Sequence, residues 1–207
     1  MNRTASIRIN KLDLGYLKEN YPFLILLLIS LASLLAGVLS VGNEGIYSSS
    51  AEAFKEYISI RSENTYLKSF LLAFLCVAEY PVISFLCGTS VLGLVISPVA
   101  LGLASYKYGC MAGYIYTEYG LNGIVFNLFA LLLPTVVYLF GLLLMTRECI
   151  GFSRLVANMC IKGNRPINLF EPFKLYSLHS LFLFITILLS VFLDITLFGL
   201  FENYFTF

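Results

Sequence analysis

The segment "YPFLILLLISLASLLAGVLSVG", Tyr21 to Gly42, carries no charged side chain. A helix needs about 20 such residues to cross a bilayer, because each adds about 1.5 Å against a hydrocarbon core roughly 30 Å thick. Lipid supplies no hydrogen-bond partner for a bare backbone, so a run like this must cross as a helix that satisfies its own amides. The pattern repeats along the chain. One apolar stretch from Tyr66 to Thr117 is too long for a single crossing and divides at "CGTS", Cys87 to Ser90, where small and turn-forming residues cluster. Two more runs follow, and the expectation is an all-α, polytopic transmembrane helix bundle of about five spanning helices at 21–42, 66–87, 91–117, 122–146 and 175–198. The first exceeds the roughly 7–15 apolar residues of a secretory signal and reads as an anchor.

Composition extends this reading to the whole chain. Hydrophobic residues make up 59% and charged residues 12%, against about 25% charged in a soluble domain. Residues 1–207 are therefore expected to form a single integral membrane domain, with the lipid bilayer as its first partner. A formal net charge of +1 provides none of the concentrated basic surface that nucleic acid requires.

Basic residues keep loops cytoplasmic. Arg3, Arg8, Lys11 and Lys18 precede the first run, and Arg147, Arg154, Lys162, Arg165 and Lys174 lie in the segment 147–174. Five crossings put both segments on one side, which gives a cytoplasmic N-terminus, an extracytoplasmic C-terminus and a multi-pass protein of the cell membrane. The outer loop 43–65 holds Glu44, Glu52, Glu56 and Glu63. Within it, Ser49 and Glu52 have the spacing of a capping box, and Phe54, Tyr57 and Ile58 fall on one helical face. That face belongs either to a small helix lying on the membrane or to a docking surface for an extracytoplasmic partner. In the inner loop, Phe152, Leu155, Val156 and Met159 recur at helical spacing. This implies a basic amphipathic helix continuing the fourth crossing until Gly163, before "GNRP" turns the chain.

No catalytic set is legible. The cysteines Cys76, Cys87, Cys110, Cys149 and Cys160 are scattered, and His179 is the one histidine. No metal site, cofactor or nucleophile–base arrangement follows, and the chain reads as a non-enzyme. The charges inside the apolar runs are more informative, because an ionisable group in a spanning helix is a functional candidate by default. Glu79 lies roughly 20 Å below the outer end at Tyr66, and Lys107 roughly 15 Å below Thr117, at about 1.5 Å per residue. On antiparallel neighbours the two would pair. The pair either locks two helices together or belongs to a polar path; Asp194, near the outer end of the last helix, is read as reaching water. Gly109 and Gly113 form a GxxxG element, and Gly102 lies on nearly the same face. Together they allow a second helix to approach closely without saying which. Pro98 and Pro134 are expected to kink their helices, and Gly120 with Gly123 to turn the chain between the third and fourth crossings.

The spacing Gly109, Gly113, Gly120, with Gly123 opening the next helix and the step Leu133–Pro134 inside it, resembles the stage II sporulation protein M family of endospore-forming bacteria. The likeness runs through "SVLGLVISPVALG", "KYGCMAGYIYTEYGLNG" and "LLLPTVVYLFGLLL" and spans nearly the whole length. The chain departs from the family pattern around "VAEYPVISFLCG" and before Gly109. The resemblance implies a non-enzymatic membrane scaffold for sporulation engulfment. Such a scaffold anchors peptidoglycan-degrading partners, the stage II sporulation proteins D and P, at the septal membrane. The alternative from the residues themselves is a small permease or channel-type component with a polar path through Glu79 and Lys107.

Overall fold

A computed structural model describes the backbone of residues 3–162 and 169–201, and the side chains of 21–160 and 169–201. Every element among them is helical: α1 (Arg3–Ser40), α2 (Glu44–Ser62), α3 (Tyr66–Gly88), α4 (Gly93–Phe126), a π-helical turn (Asn127–Leu131), α5 (Leu132–Lys162) and α6 (Phe170–Phe201). Four helical stretches are long and apolar enough to span a membrane: Tyr21–Ser40, Tyr66–Gly88, Gly93–Cys160 and Phe170–Phe201. The chain is thus a membrane-embedded, polytopic all-α bundle.

The third stretch is 68 residues long, several times the length one crossing needs. It folds back at Gly120, whose φ of +53° is the sole positive φ among the described residues; glycine adopts that angle without a Cβ penalty. A methyl on Gly123 would overlap the carbonyl oxygen of Ile115. In a straight helix those residues would be about 12 Å apart, so the contact marks a reversal. Two antiparallel passes result, giving five crossings among the described residues.

Neighbouring contacts fix the packing. Tyr66 meets Thr196 and Tyr176 meets Phe85, so α3 and α6 are antiparallel. Ser190 meets Pro134 and His179 meets Glu148, which makes α5 and α6 antiparallel too. α1 runs parallel to α4: Ser30 bonds Ser105 at 2.7 Å, and Ser40 accepts from Tyr106 at 2.9 Å. The glycines make this seam. Gly102, Gly109 and Gly113 face Ser33, Leu34 and Val38 of α1, and Gly37 of α1 faces the Tyr106 carbonyl in return. Bare backbone on both sides lets the two axes close together. The opposite face of α1 presents Leu28, Leu31, Leu35 and Leu39, all exposed, as a lipid-facing helix requires.

Several expectations need correction. α2 starts at Glu44, where the Asn43 side chain accepts from the Gly45 amide. Ser49 therefore sits inside the helix, and the capping box with Glu52 does not form. Phe54 is 1% exposed and packs against Tyr114, Tyr119 and Phe126. Tyr57 packs edge-on to Phe198, and Ile58 joins the same cluster. The supposed docking face is thus already covered by the bundle, which it joins because three apolar side chains on one face remove more surface from water inside than outside. At the other end α5 continues unbroken to Lys162, while Gly163 and the "GNRP" turn lie outside the described residues. The disturbance expected at Pro134 takes the form of the π-helical turn just before it, since proline lacks the amide that would bond the preceding turn. α4 leaves helical angles at Gly120 and keeps them at Pro98.

Candidate functional site

α2 lies across one end of the bundle, and beneath it is a cavity of about 600 Å³. Its wall takes residues from α2 through α6. Ile46, Ser50, Ala53, Tyr57 and Arg61 recur three or four positions apart along α2, so one face of that helix roofs the space. Pro134 and Tyr138 of α5 and Ser190 of α6 form its floor. About 1.5 Å per residue places them near mid-membrane. Ser190 donates to the Pro134 carbonyl at 2.8 Å, and the Tyr138 hydroxyl to the Val77 carbonyl at 3.2 Å.

Two ion pairs line this space, and they differ in burial. Arg61 Nε donates to Asp194 Oδ2 at 3.2 Å, with Nη2 closer still on the same oxygen. The Tyr57 hydroxyl donates to Asp194 Oδ1 at 2.7 Å. Both carboxylate oxygens are thereby engaged. Arg61 also stacks over the Tyr57 ring, 3.5 Å from its centre, and bonds the Tyr57 carbonyl at 2.9 Å. The two side chains are 6% and 13% exposed, so neither charge keeps much water. Burial first, and then the neighbouring carboxylate, push the Tyr57 phenol well above its ordinary range. For Arg61 burial opposes the charge, but Tyr57 and Asp194 outweigh it and the guanidinium is held protonated more firmly than usual. Asp194 does not reach water as expected; it fastens α2 to α6.

Glu79 and Lys107 do meet, at 2.7 Å between Oε1 and Nζ. Lys107 also lies 4.9 Å from the centre of the Tyr80 ring. This pair is open, with Lys107 65% and Glu79 48% exposed, and it stands on the cavity wall with Cys76 and Tyr80. Both groups stand on the cavity wall, where an entering solute would meet one charge of each sign.

Sequence reasoning placed Glu79 beside Lys107 by matching their depths. It missed the Arg61–Asp194 pair because α2 read as a peripheral helix. The signal that was available is the pairing of Tyr57 and Arg61 one turn apart on that helix with an acid at outer depth in the last crossing. The packing glycines 102, 109 and 113 and the turn glycines 120 and 123 lie outside this site. Among the described residues no group of three or more His, Cys, Asp or Glu side chains could hold a metal ion. Comparison with protein-family models, curated proteins and solved structures found no match to this chain.

Proposed function

We propose that this chain is a small permease or channel-type protein of the cell membrane, with a polar path that begins in the cavity under α2 and passes Glu79 and Lys107. The observation that carries the reading is that one cavity, reaching from the roof helix to mid-membrane, has both ion pairs on its wall. Charges at the depth of Glu79 and Lys107 are costly in lipid unless they pair or face a water-filled cavity, which makes such residues functional candidates, and irregular backbone near Pro134 is tolerated where it lines a cavity. A volume of about 600 Å³ suits a small polar or zwitterionic solute. Glu79 and Lys107 supply one charge of each sign, and the tyrosines supply hydroxyls and apolar rings.

Purified protein in liposomes tests it, with proton, potassium and glycine fluxes as probes. Flux above that of empty liposomes, lost on Lys107→Leu, supports the path. A second reading, the engulfment scaffold, draws on the resemblance to the stage II sporulation protein M family. Its supporting observation is that Gly109 and Gly113 sit on the α1–α4 seam, Gly120 and Gly123 at the reversal, and Pro134 where α5 meets α6. Absence of flux for all three probes, with recovery of cell-wall hydrolases from sporulating cells by the solubilised chain, would sink the permease reading in favour of the scaffold.

A further inference from the structure

Beyond the cavity floor the bundle is built in tiers. Along α5, Tyr138 lines the cavity, Leu142 follows one turn on, and Thr146 one turn after that. Along α4 the same order runs Ala104, Leu101, Ser97. Along α6 it is Ser190, Ile187 and, two turns further, Ser180; along α3, Val77, Pro81 and Ser84. The middle tier is apolar: Leu101, Leu142 and Ile187 are fully buried and form one cluster with Tyr138. The last tier consists of four hydroxyls, one from each of four helices. Ser84, Ser97, Thr146 and Ser180 are at most 1% exposed; none of these hydroxyls makes a hydrogen bond of good geometry, Ser97 and Ser180 having only loose polar contacts with the Cys149 thiol and the Tyr176 phenol.

They gather round two further polar groups. Ser97 lies beside the Cys149 thiol and Ser180 beside the Tyr176 phenol. Tyr176 bonds the Phe85 carbonyl at 2.9 Å, next to Ser84. Thr146 is one turn from Cys149 on α5. An unmet hydroxyl in a dry interior is costly. A single serine could turn back to a carbonyl of its own helix, but here four helices each point an unpaired hydroxyl into the same tier. A buried polar pocket is ordinarily filled by water that makes about three hydrogen bonds.

We propose that these four hydroxyls enclose a hydrated inner compartment, and that the layer of Leu101, Leu142 and Ile187 is the gate that separates it from the cavity. A gate of this kind closes by excluding water rather than by charge. The hydrated compartment stands independently of the permease reading, while its role as the second half of a path rests on it.

Cys149 is the natural probe. In the full chain with Cys76, Cys87, Cys110 and Cys160 changed to alanine, a membrane-impermeant thiol reagent should label Cys149 from the N-terminal face and not from the α2 face. Leu142→Ala should raise labelling from the α2 face at least about tenfold, since it removes a fully buried side chain from the middle of the apolar layer. Ile187→Val offers a milder opening should that variant misfold. The combined change Ser84→Ala, Ser97→Ala, Thr146→Val and Ser180→Ala should abolish labelling from the N-terminal face. A Cys149 inert from both faces overturns the proposal, as does labelling unaffected by loss of the hydroxyls. Labelling without solute flux leaves the hydrated compartment standing and removes the permease reading; flux with an inert Cys149 does the reverse.

Discussion

The seam between α1 and α4 makes a graded prediction. A methyl added at Gly109 would overlap the carbonyl oxygen of Leu34 and stand 3.0 Å from its carbon; at Gly113 it would stand 2.9 Å from the Val38 oxygen and the Val41 methyl. At Gly151, on the exposed face of α5, it would meet nothing within 4 Å. Alanine improves helix propensity by up to about 1 kcal/mol at each site. Against this, overpacking costs about 1–3 kcal/mol, with Gly109 at the upper end because backbone on both sides cannot turn aside. Gly109→Ala should therefore lose about 2 kcal/mol net, a fall in Tm of about 4–8 °C for a chain of this length. Gly113→Ala should lose about 1 kcal/mol, less than Gly109→Ala because the Val41 methyl can yield and the Val38 carbonyl oxygen, at 2.9 Å, stands farther off than that of Leu34. Gly151→Ala should gain about 1–3 °C by propensity alone. The chain contains no tryptophan, so melting in detergent is best followed by the helical circular dichroism band. A Gly109→Ala protein as stable as Gly151→Ala would refute the packing of these glycines on α1.

Other outcomes follow from the same contacts. Asp194→Leu strands a buried guanidinium and should cost about 3–5 kcal/mol, whereas Arg61→Leu with Asp194→Leu should recover most of it, because two apolar groups replace two desolvated charges; thermal melts of the three variants decide this. Lys107→Leu with Glu79→Leu should change stability by about 1 kcal/mol or less, the pair being open, yet remove flux; a large fall in Tm would mean the pair holds α3 to α4. The Tyr47 phenol donates to Glu118, and that bond, with some desolvation, pushes its pKa up to about 12. The neutral phenol is the favoured form, so this contact persists below the ordinary value near 10 and is lost as pH rises toward 12. Glu118→Gln should return the titration toward 10 in ultraviolet difference spectra.

How far the sequence carries can be judged from particular residues. The crossings and the break at "CGTS" follow from length and composition, which the bilayer constrains tightly. The Glu79–Lys107 contact was legible because two charges at one depth in adjacent antiparallel helices have few other partners. Gly109 and Gly113 announced close packing, but their partner, α1, depends on how the helices are ordered in space. Asp194 and Arg61 are 133 positions apart, and their pairing required α2 to fold over the bundle. No local pattern states that. The tier of Ser84, Ser97, Thr146 and Ser180 was invisible for the same reason, since a lone serine in an apolar helix looks alike whether it faces lipid or a shared pocket.

Cys76 gives the most direct test of the central claim, that a water-filled cavity under α2 reaches toward mid-membrane. It lies on α3 roughly 15 Å below Tyr66 at about 1.5 Å per residue, on the cavity wall. In a variant retaining only this cysteine, a membrane-impermeant maleimide applied from the α2 face should label it rapidly. Labelling only by a membrane-permeant reagent would place Cys76 against lipid and contradict the account.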